Sequence, residues 1–487
     1  MKKTNKIGHK FIIFWILISL VLILAKCGNQ GEETLDPVEP SFPSGPSFPS
    51  EPPFPSEPPS NTYTVIYDKN SVDATGIIAN SIFTVGISGY LQINNFIRNN
   101  YCFLGWAKTS TSTIAEYSDG QSVKNLTTAG ETIILYAVWH ELNIIEVTEG
   151  STLDEKFTWI TNNVESYTIY IIEINSDYDY YNYLYRQNLS YETNKYITIH
   201  LKGTGSITLI SDHDYRNNVA LINIGNHVTL ILDENIFLDK HILYDLDFSL
   251  SVSSGGHFIM NGGGISGNSS NFVSGGVYVN GGTFTMNGGE ISGNNGNGVY
   301  VYVNGGTFTM YGGEISGNKD DGVYFYSEGT FTMYGGEISG NNGNGVCVNG
   351  GTFTMYDGKI SGNYGNGGYF YIGTFTMYGG NISVNYNTPN NRCGVCVIGG
   401  TFTMTGGEIS GNNSYFSVDS VFVTDAFFNK TGGTIKGINS INGNNGYAVR
   451  ACIRGLFYEK LKKTTAGPGD NLFYNSSNLT WSGAWDY

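Results

Sequence analysis

The stretch FTMYGGEISGN, at Phe308–Asn318 and again at Phe331–Asn341, decides how this chain is read. Variants surround it: FIMNGGGISGN from Phe258, FTMNGGEISGN from Phe284, FTMYDGKISGN from Phe353, FTMYGGNISVN from Phe375 and FTMTGGEISGN from Phe402. A worn copy, FNKTGGTIKGI, begins at Phe428, and successive copies lie 26, 24, 23, 22, 22, 27 and 26 residues apart. Apart from Met1, every methionine occupies the third position of this phrase. A near-constant period of this size marks a solenoid, in which each repeat packs only on its neighbours.

The chemistry of one period says which solenoid. Each carries three short alternating runs: T-F-T-M, E-I-S, and V-Y-V or V-C-V. Glycine pairs or Asn-Gly separate them and supply the positive φ that sharp corners need. No run suits a helix. Leucine-rich repeats would need their Leu spacing, and calcium-binding nonapeptide repeats would need Asp where Ser or Gly stands. The expectation is a mainly β chain, a right-handed parallel β-helix with three strands per coil. Alternation points Phe284, Met286, Ile291, Val299 and Val301 inward, with Thr283 and Thr285 outward. Asn268, Asn294, Asn318, Asn341, Asn363, Asn385 and Asn412 are expected to form a hydrogen-bonded corner ladder. Glu290, Glu314 and Glu337 would stack ~4.8 Å apart. Their repulsion is roughly 1 kcal/mol in water and far more in a dry interior, so this row belongs on a wet face, where Lys359 interrupts it.

Outward from the repeats, Ile197–Ile210 and Ala220–Leu238 read as degenerate earlier coils. The solenoid is placed at 142–450, clearest over 258–440. Ser151 to Ile160 carries a Ser-x-x-Asp cap and apolar Leu153, Phe157 and Ile160, with Val164 beyond. That pattern is a short amphipathic helix suited to covering the first coil. Residues 451–487, including the aromatic WSGAWDY end, are expected to seal the last coil. The region 143–487 resembles the β-helical repeats of spirochaete-type surface lipoproteins, with pectate-lyase-like folding.

Residues 62–141 alternate apolar and polar residues in shorter runs. Tyr63–Tyr67, YCFLGW at Tyr101–Trp106, YSDG at Tyr117–Gly120, VKNLT at Val123–Thr127 and LYAVW at Leu135–Trp139 follow in that order. The order resembles the Listeria–Bacteroides repeat, a B-repeat-like module of bacterial surface proteins. That resemblance implies a small β-grasp domain that spaces or presents binding surfaces and does no chemistry. Trp106 and Trp139 are read as core residues.

Residues 31–60 hold ten of the twelve prolines, in units such as SFPSGP and SFPSEP. Such a segment builds no core and extends near polyproline II, so 28–61 is read as a stalk. A basic start and the apolar run Phe11–Ala25 have the layout of a secretory signal. Fifteen helical residues span only ~22 Å, short of a ~30 Å hydrocarbon core. LILAKC, ending at Cys27, resembles a lipoprotein signal, which implies that 1–27 is a signal and anchor with Cys27 lipidated. Lys26 departs from that pattern, where a small residue is usual. An uncleaved anchor and a soluble secreted product are the other readings. Cleavage before Cys27 removes five lysines and no acidic residue, taking the net charge from −16 to −21.

That charge argues against a nucleic-acid partner, which needs clustered Lys and Arg. Polysaccharide lyases and hydrolases share the expected fold, but fold alone does not confer function. Their chemistry needs clustered Asp with Arg or Lys, for calcium binding and proton abstraction, or paired acids. Between Phe258 and Val449 there is no His, and the only Asp are Asp320, Asp321, Asp357, Asp419 and Asp425. Asp320-Asp321 reads as a solvated turn. His200 and the run Asp212-His213-Asp214 form one suggestive cluster, which a Gly-poor loop explains equally well. Cys347 and Cys396 take the same repeat position two coils apart, too far to bond. Cys393 and Cys396 form a lone CxxC, read as a local disulfide or two thiols at a corner.

Surface rows remain. Thr283, Thr285, Thr307 and Thr309 begin an outward T-x-T array that resembles the ice-binding face of some antifreeze proteins and equally suits any β-branched strand. Tyr311, Tyr334, Tyr356 and Tyr378 form an aromatic ladder beside it. Tyr300, Tyr302, Tyr324, Tyr326, Tyr369 and Tyr371 line another face. Exposed aromatic rows are binding strips for glycans or proteins, or intercoil stacking. The expectation is an exported, monomeric, non-catalytic surface protein, held on the bacterial envelope by a lipid anchor, with no cofactor and no metal. Its role would be adhesion or surface display towards glycans or host or community proteins. The alternative is a polysaccharide lyase or hydrolase.

Overall fold

A computed structural model describes residues 61–174, 183–191, 196–203, 205–209, 220–240, 248–267, 275–302, 305–387, 393–414, 419–437, 448–452, 461–463, 465–467, 470, 472–475, 480–483 and 485. Cys27, the proline-rich segment, Asn268 and Asp212-His213-Asp214 lie outside them. The described residues, 61 onwards, form one compact unit. No helix among the described residues is long and apolar enough to cross a membrane.

Each repeat contributes one strand to each of three sheets, of 14, 12 and 12 strands. The first sheet holds the T-F-T-M strands, the second the E-I-S strands and the third the V-Y-V strands. Strands of neighbouring coils pair in parallel and in register, so Phe308 lies between Phe284 and Phe331, and Met310 between Met286 and Met333. The protein is a right-handed parallel β-helix. Alternation gives the predicted faces: Phe284, Met286, Ile291, Val299 and Val301 are fully buried. The phenylalanine rings stack in a column, with centroids 4.8 Å apart from Phe284 to Phe308 and 4.7 Å from Phe308 to Phe331. One spacing thus serves both the backbone ladder and the packed core.

The corner between the first two sheets depends on glycine. Gly313 has φ +87°, and a Cβ there would lie 2.6 Å from the Gly289 carbonyl oxygen. Only a residue without a side chain lets the next coil approach. The corner after E-I-S depends on asparagine. The Asn294 amide donates to Asn318 Oδ1 at 2.9 Å, Asn318 to Asn341 at 2.9 Å, and the chain continues through Asn363 and Asn385 to Asn412. All six side chains are buried.

Both ends are closed. Helix α1 (Leu153–Asn162) buries Leu153, Phe157 and Ile160 on the first coils. Its cap differs from the expected Ser-x-x-Asp: Thr152 is the N-cap and forms a capping box with Glu155. The Glu155 carboxylate accepts from Ser151 as well, so a three-residue spacing begins one residue later than Ser151 suggested. At the other end the pairing turns antiparallel. Leu472–Asn475 covers Phe427–Lys430, Leu461–Lys463 covers Val449–Cys452, and Thr465–Ala466 covers Thr434–Lys436. These strands occupy edges that would otherwise template further pairing. Trp485 is buried against Phe428.

Upstream, Thr62–Asp68 and Thr132–Glu141 pair in parallel at the centre of a four-stranded sheet, flanked antiparallel by Ser81–Thr84 and Tyr101–Ala107. Trp106 is fully buried among Tyr67, Phe96 and Phe103. Trp139 is partly buried and donates its indole N–H to the Lys69 carbonyl at 2.8 Å. This apolar cluster shares no residue with the β-helix core.

Candidate functional site

The corner residue that follows each T-F-T-M strand forms the most regular surface feature. Tyr311, Tyr334, Tyr356 and Tyr378 are 54%, 44%, 43% and 50% exposed. Their rings stack with centroids 5.0, 4.9 and 4.9 Å apart and planes within 10° of parallel. The backbone fixes this, since each tyrosine N–H donates to a methionine carbonyl of the preceding coil, Tyr334 to Met310 at 2.8 Å. The rings thus stack face to face along the helix axis and turn their edges to solvent. Thr283, Thr285, Thr307 and Thr309 lie where expected, half-exposed on the adjoining face, with Thr283 paired to Thr307 and Thr285 to Thr309.

Beyond the tyrosines lies the Gly-Gly corner, and beyond that the carboxylate row. Glu290 and Glu314 are exposed, as the repulsion argument required. Lys359 Nζ lies 2.8 Å from Glu337 Oε1 in the preceding coil. That contact, helped by Ser361, holds the Glu337 carboxyl below its usual range. An open groove of about 640 Å³ follows this corner. Its floor is bare glycine backbone, and its sides carry Glu290, Glu314, Glu337, Asp357 and Lys359.

Sequence reading missed that the tyrosine position continues towards the N-terminal end as a polar column. The Asn287 amide donates to Asn261 Oδ1 at 2.9 Å, and the Asn261 amide to Asp233 Oδ1 at 3.3 Å. His200 Nε2 lies 3.0 Å from that same carboxylate. The signal was there, because Asp233, Asn261 and Asn287 directly follow the last inward residue of their strands, Leu232, Met260 and Met286.

The second tyrosine face is largely closed. Tyr300 is buried against Tyr278, Tyr302 and Tyr324, with Phe248 alongside. Burial pushes the Tyr278 and Tyr324 hydroxyls up to about 12 and Tyr300 still higher. Tyr326 and Tyr371 remain exposed at its margin.

Asp320-Asp321 corrects an expectation. Asp321 is buried, within a second ladder of Asn297, Asp321, Asn344 and Asn366. It accepts from the Asn344 amide at 2.9 Å. Burial, then the charge of Asp320, pushes its carboxyl up to about 7. The nearby Cys347 thiol is pushed well up by burial, and by the charge of Asp321 after it. No Lys or Arg faces this pair among the described residues, so the site buries a carboxyl without an opposing charge.

Cys102, Cys347, Cys393 and Cys396 are not joined in disulfides. Tyr369 separates Cys347 from Cys396, as the register required. Cys393 and Cys396 share the strand Cys393–Ile398, where an odd separation sends them to opposite faces, so the disulfide alternative is not formed. Among the described residues no group of three His, Cys, Asp or Glu is placed to hold a metal ion. Compared with protein-family models, curated proteins and solved structures, the chain matches none.

Proposed function

We propose that this protein is a surface-displayed binding protein whose β-helix acts as a non-catalytic adhesion rod towards glycans or host or community proteins. The observation that carries this reading is the stack of Tyr311, Tyr334, Tyr356 and Tyr378, four parallel rings about half-exposed along one corner. A soluble chain gains little from keeping such a ribbon in water, whereas stacked aromatics give a binder large contact area with few rotamers to freeze. Export by the N-terminal segment, lipidation at Cys27, the proline stalk and the B-repeat-like module complete the proposal as tether and spacer. The rod is monomeric in this reading.

A glycan array combined with a lyase and hydrolase screen on the full chain tests it. Saturable binding without turnover, weakened by Tyr334→Ala, is the expected result. Release of unsaturated or reducing ends from any polysaccharide would establish the lyase or hydrolase alternative instead. Labelling with a radioactive fatty acid, present in the full chain and lost in Cys27→Ala, is the matching test of the anchor.

A further inference from the structure

The geometry points to a second binding place at the N-terminal end of the rod: the unpaired edge of Asn143–Glu146, which takes an extended peptide of a partner protein as one more strand. It lies apart from the tyrosine corner and goes beyond the reading built on it. Asn143–Glu146 ends the 14-stranded sheet and pairs with Thr168–Ile174 on one side only. The Asn143 N–H donates to the Tyr167 carbonyl, and the Val147 N–H to the Ile171 carbonyl. In a parallel ladder alternate residues turn N–H and C=O to the same neighbour. Asn143, Ile145 and Val147 therefore face the rod. The backbone N–H and C=O of Ile144 and Glu146 face the open side.

The other sheet ends are covered. At the C-terminal end each of the three sheets finishes under an antiparallel strand. At the N-terminal end helix α1 closes the core and packs on Tyr183–Leu184, and its Asp154 carboxylate accepts the Gln187 amide at 2.8 Å. The second and third sheets thus end beneath that helix. The first sheet's edge has no such cover among the described residues: Ile144 is 49% exposed, and Glu146 is exposed. Edges are commonly blunted by proline, lysine or a bulge, and Asn143–Glu146 has none of these. Unpaired backbone groups of this kind are met by another backbone, so the edge itself specifies an extended chain.

Side chains narrow the partner further. Ile145 heads the inward column that runs through Tyr170, Ile199 and Leu230 to Phe258, yet it is only partly buried. The added strand needs an apolar residue over Ile145. It needs no proline across the contact and no carboxylate opposite Glu146.

Amide hydrogen exchange resolved to single residues tests this on the full chain, with and without the acetylated and amidated peptide ITIHLKG. That peptide copies Ile197–Gly203, a strand of the same sheet that also pairs with Thr168–Ile174. In the free protein the Ile144 and Glu146 amides should exchange about a hundredfold faster than the Ile145 amide, which faces the rod. Bound peptide should slow both by about tenfold or more. Ile144→Pro removes one outward N–H at a position where an edge strand tolerates proline, and should raise the Kd for the peptide about tenfold. The exchange arm uses the unaltered chain, so it decides even if Ile144→Pro misfolds. Slow exchange at Ile144 and Glu146 in the free protein would mean that another part of this chain covers the edge. Slowing that grows with protein concentration would mean that a second copy does. Either result overturns the inference. So does a peptide that fails to bind, or one that binds without slowing these two amides.

Discussion

Asp321 receives both the backbone N–H and the side-chain amide of Asn344, in a buried ladder whose other members are asparagines. An asparagine in that place would pass an N–H on to its neighbour, as Asn366 does to Asn344. A carboxylate has no donor to pass on, but a protonated carboxyl has one. Burial, with the charge of Asp320, makes the folded protein favour the neutral acid, and the two Asn344 N–H donors offset this only in part. With the folded value pushed up to about 7 and an ordinary unfolded value near 3.9, the native state holds the extra proton between those limits. Asp321's effect on stability is then least harmful below about pH 4, worsens as pH rises towards 7, and levels off above it. Asp321→Asn should gain stability over the parent by a few kcal/mol at pH 8 and by little at pH 4. Urea midpoints of both proteins across that range check this, and parallel pH profiles would refute it. The facing groups Asp320, Cys347 and Tyr324 are common to both proteins and cancel to first order.

Asn341 saturates its hydrogen-bonding capacity at the centre of the other ladder. Its Oδ1 accepts the Asn318 backbone N–H and amide, while its own amide donates to Asn363 Oδ1 and the Ile315 carbonyl. Asn341→Ala takes the side-chain partner from buried groups of Asn318 and Ile315, while Asn363 Oδ1 keeps the residue 341 backbone N–H, at about 1–3 kcal/mol for each group that water cannot reach. A loss of about 3–5 kcal/mol is expected in denaturant unfolding. Asn342→Ala, one residue further on and partly exposed, is the control and should cost under about 1 kcal/mol. Similar costs for the two would show that water replaces the ladder.

What could be read in advance follows from which residues a period repeats. The coil, the inward Phe and Met, the outward Thr and the first asparagine ladder were all legible, because those residues recur at fixed places in the phrase. Asp321 was not, because it lies in the variable stretch between phrases. Aligning that stretch on Gly298, Gly322, Gly345 and Gly367 puts Asp321 in line with Asn297, Asn344 and Asn366 and would have exposed the second ladder. The closure of Tyr300 had no sequence signal, since outward alternation says nothing of the rings that neighbouring coils fold over it. The carboxylate groove belongs to neither class. Its charges were visible as a row, but the open glycine-lined surface between them was not.

Lys430 ends the methionine column. It pairs with Met404 in register and is fully buried, yet its ammonium donates to the Gly467 carbonyl at 2.7 Å and the Asp470 carbonyl at 2.9 Å. The aliphatic stem continues the core while the charged end ties down the closing turn. Lys430→Met keeps the packing and loses both bonds, so it should cost about 1–3 kcal/mol. Lys430→Ala also opens a cavity and should cost about 2–5 kcal/mol. In both, amide exchange should quicken first over Thr465–Ala466 and Leu472–Asn475. Uniform quickening along the whole rod would contradict a local fastening role.

The tyrosine ribbon separates binding from stacking most directly. Tyr334 lies between Tyr311 and Tyr356, and each cross-strand aromatic pair stabilises a sheet by roughly 0.2–1 kcal/mol. Tyr334→Ala should therefore lower stability by about 1 kcal/mol through two lost contacts. Tyr334→Phe keeps the ring and should cost almost nothing. If the ribbon's role is intercoil stacking, the two variants differ only in unfolding midpoint, and surface adhesion of cells displaying them is equal once expression is matched. If the ribbon is a binding strip, Tyr334→Ala loses adhesion while still folded, and Tyr334→Phe keeps most of it because the exposed ring edge survives. Measuring midpoint and adhesion on the same preparations tells these apart. A folded, normally displayed Tyr334→Ala variant with undiminished adhesion would remove the observation on which the adhesion proposal stands.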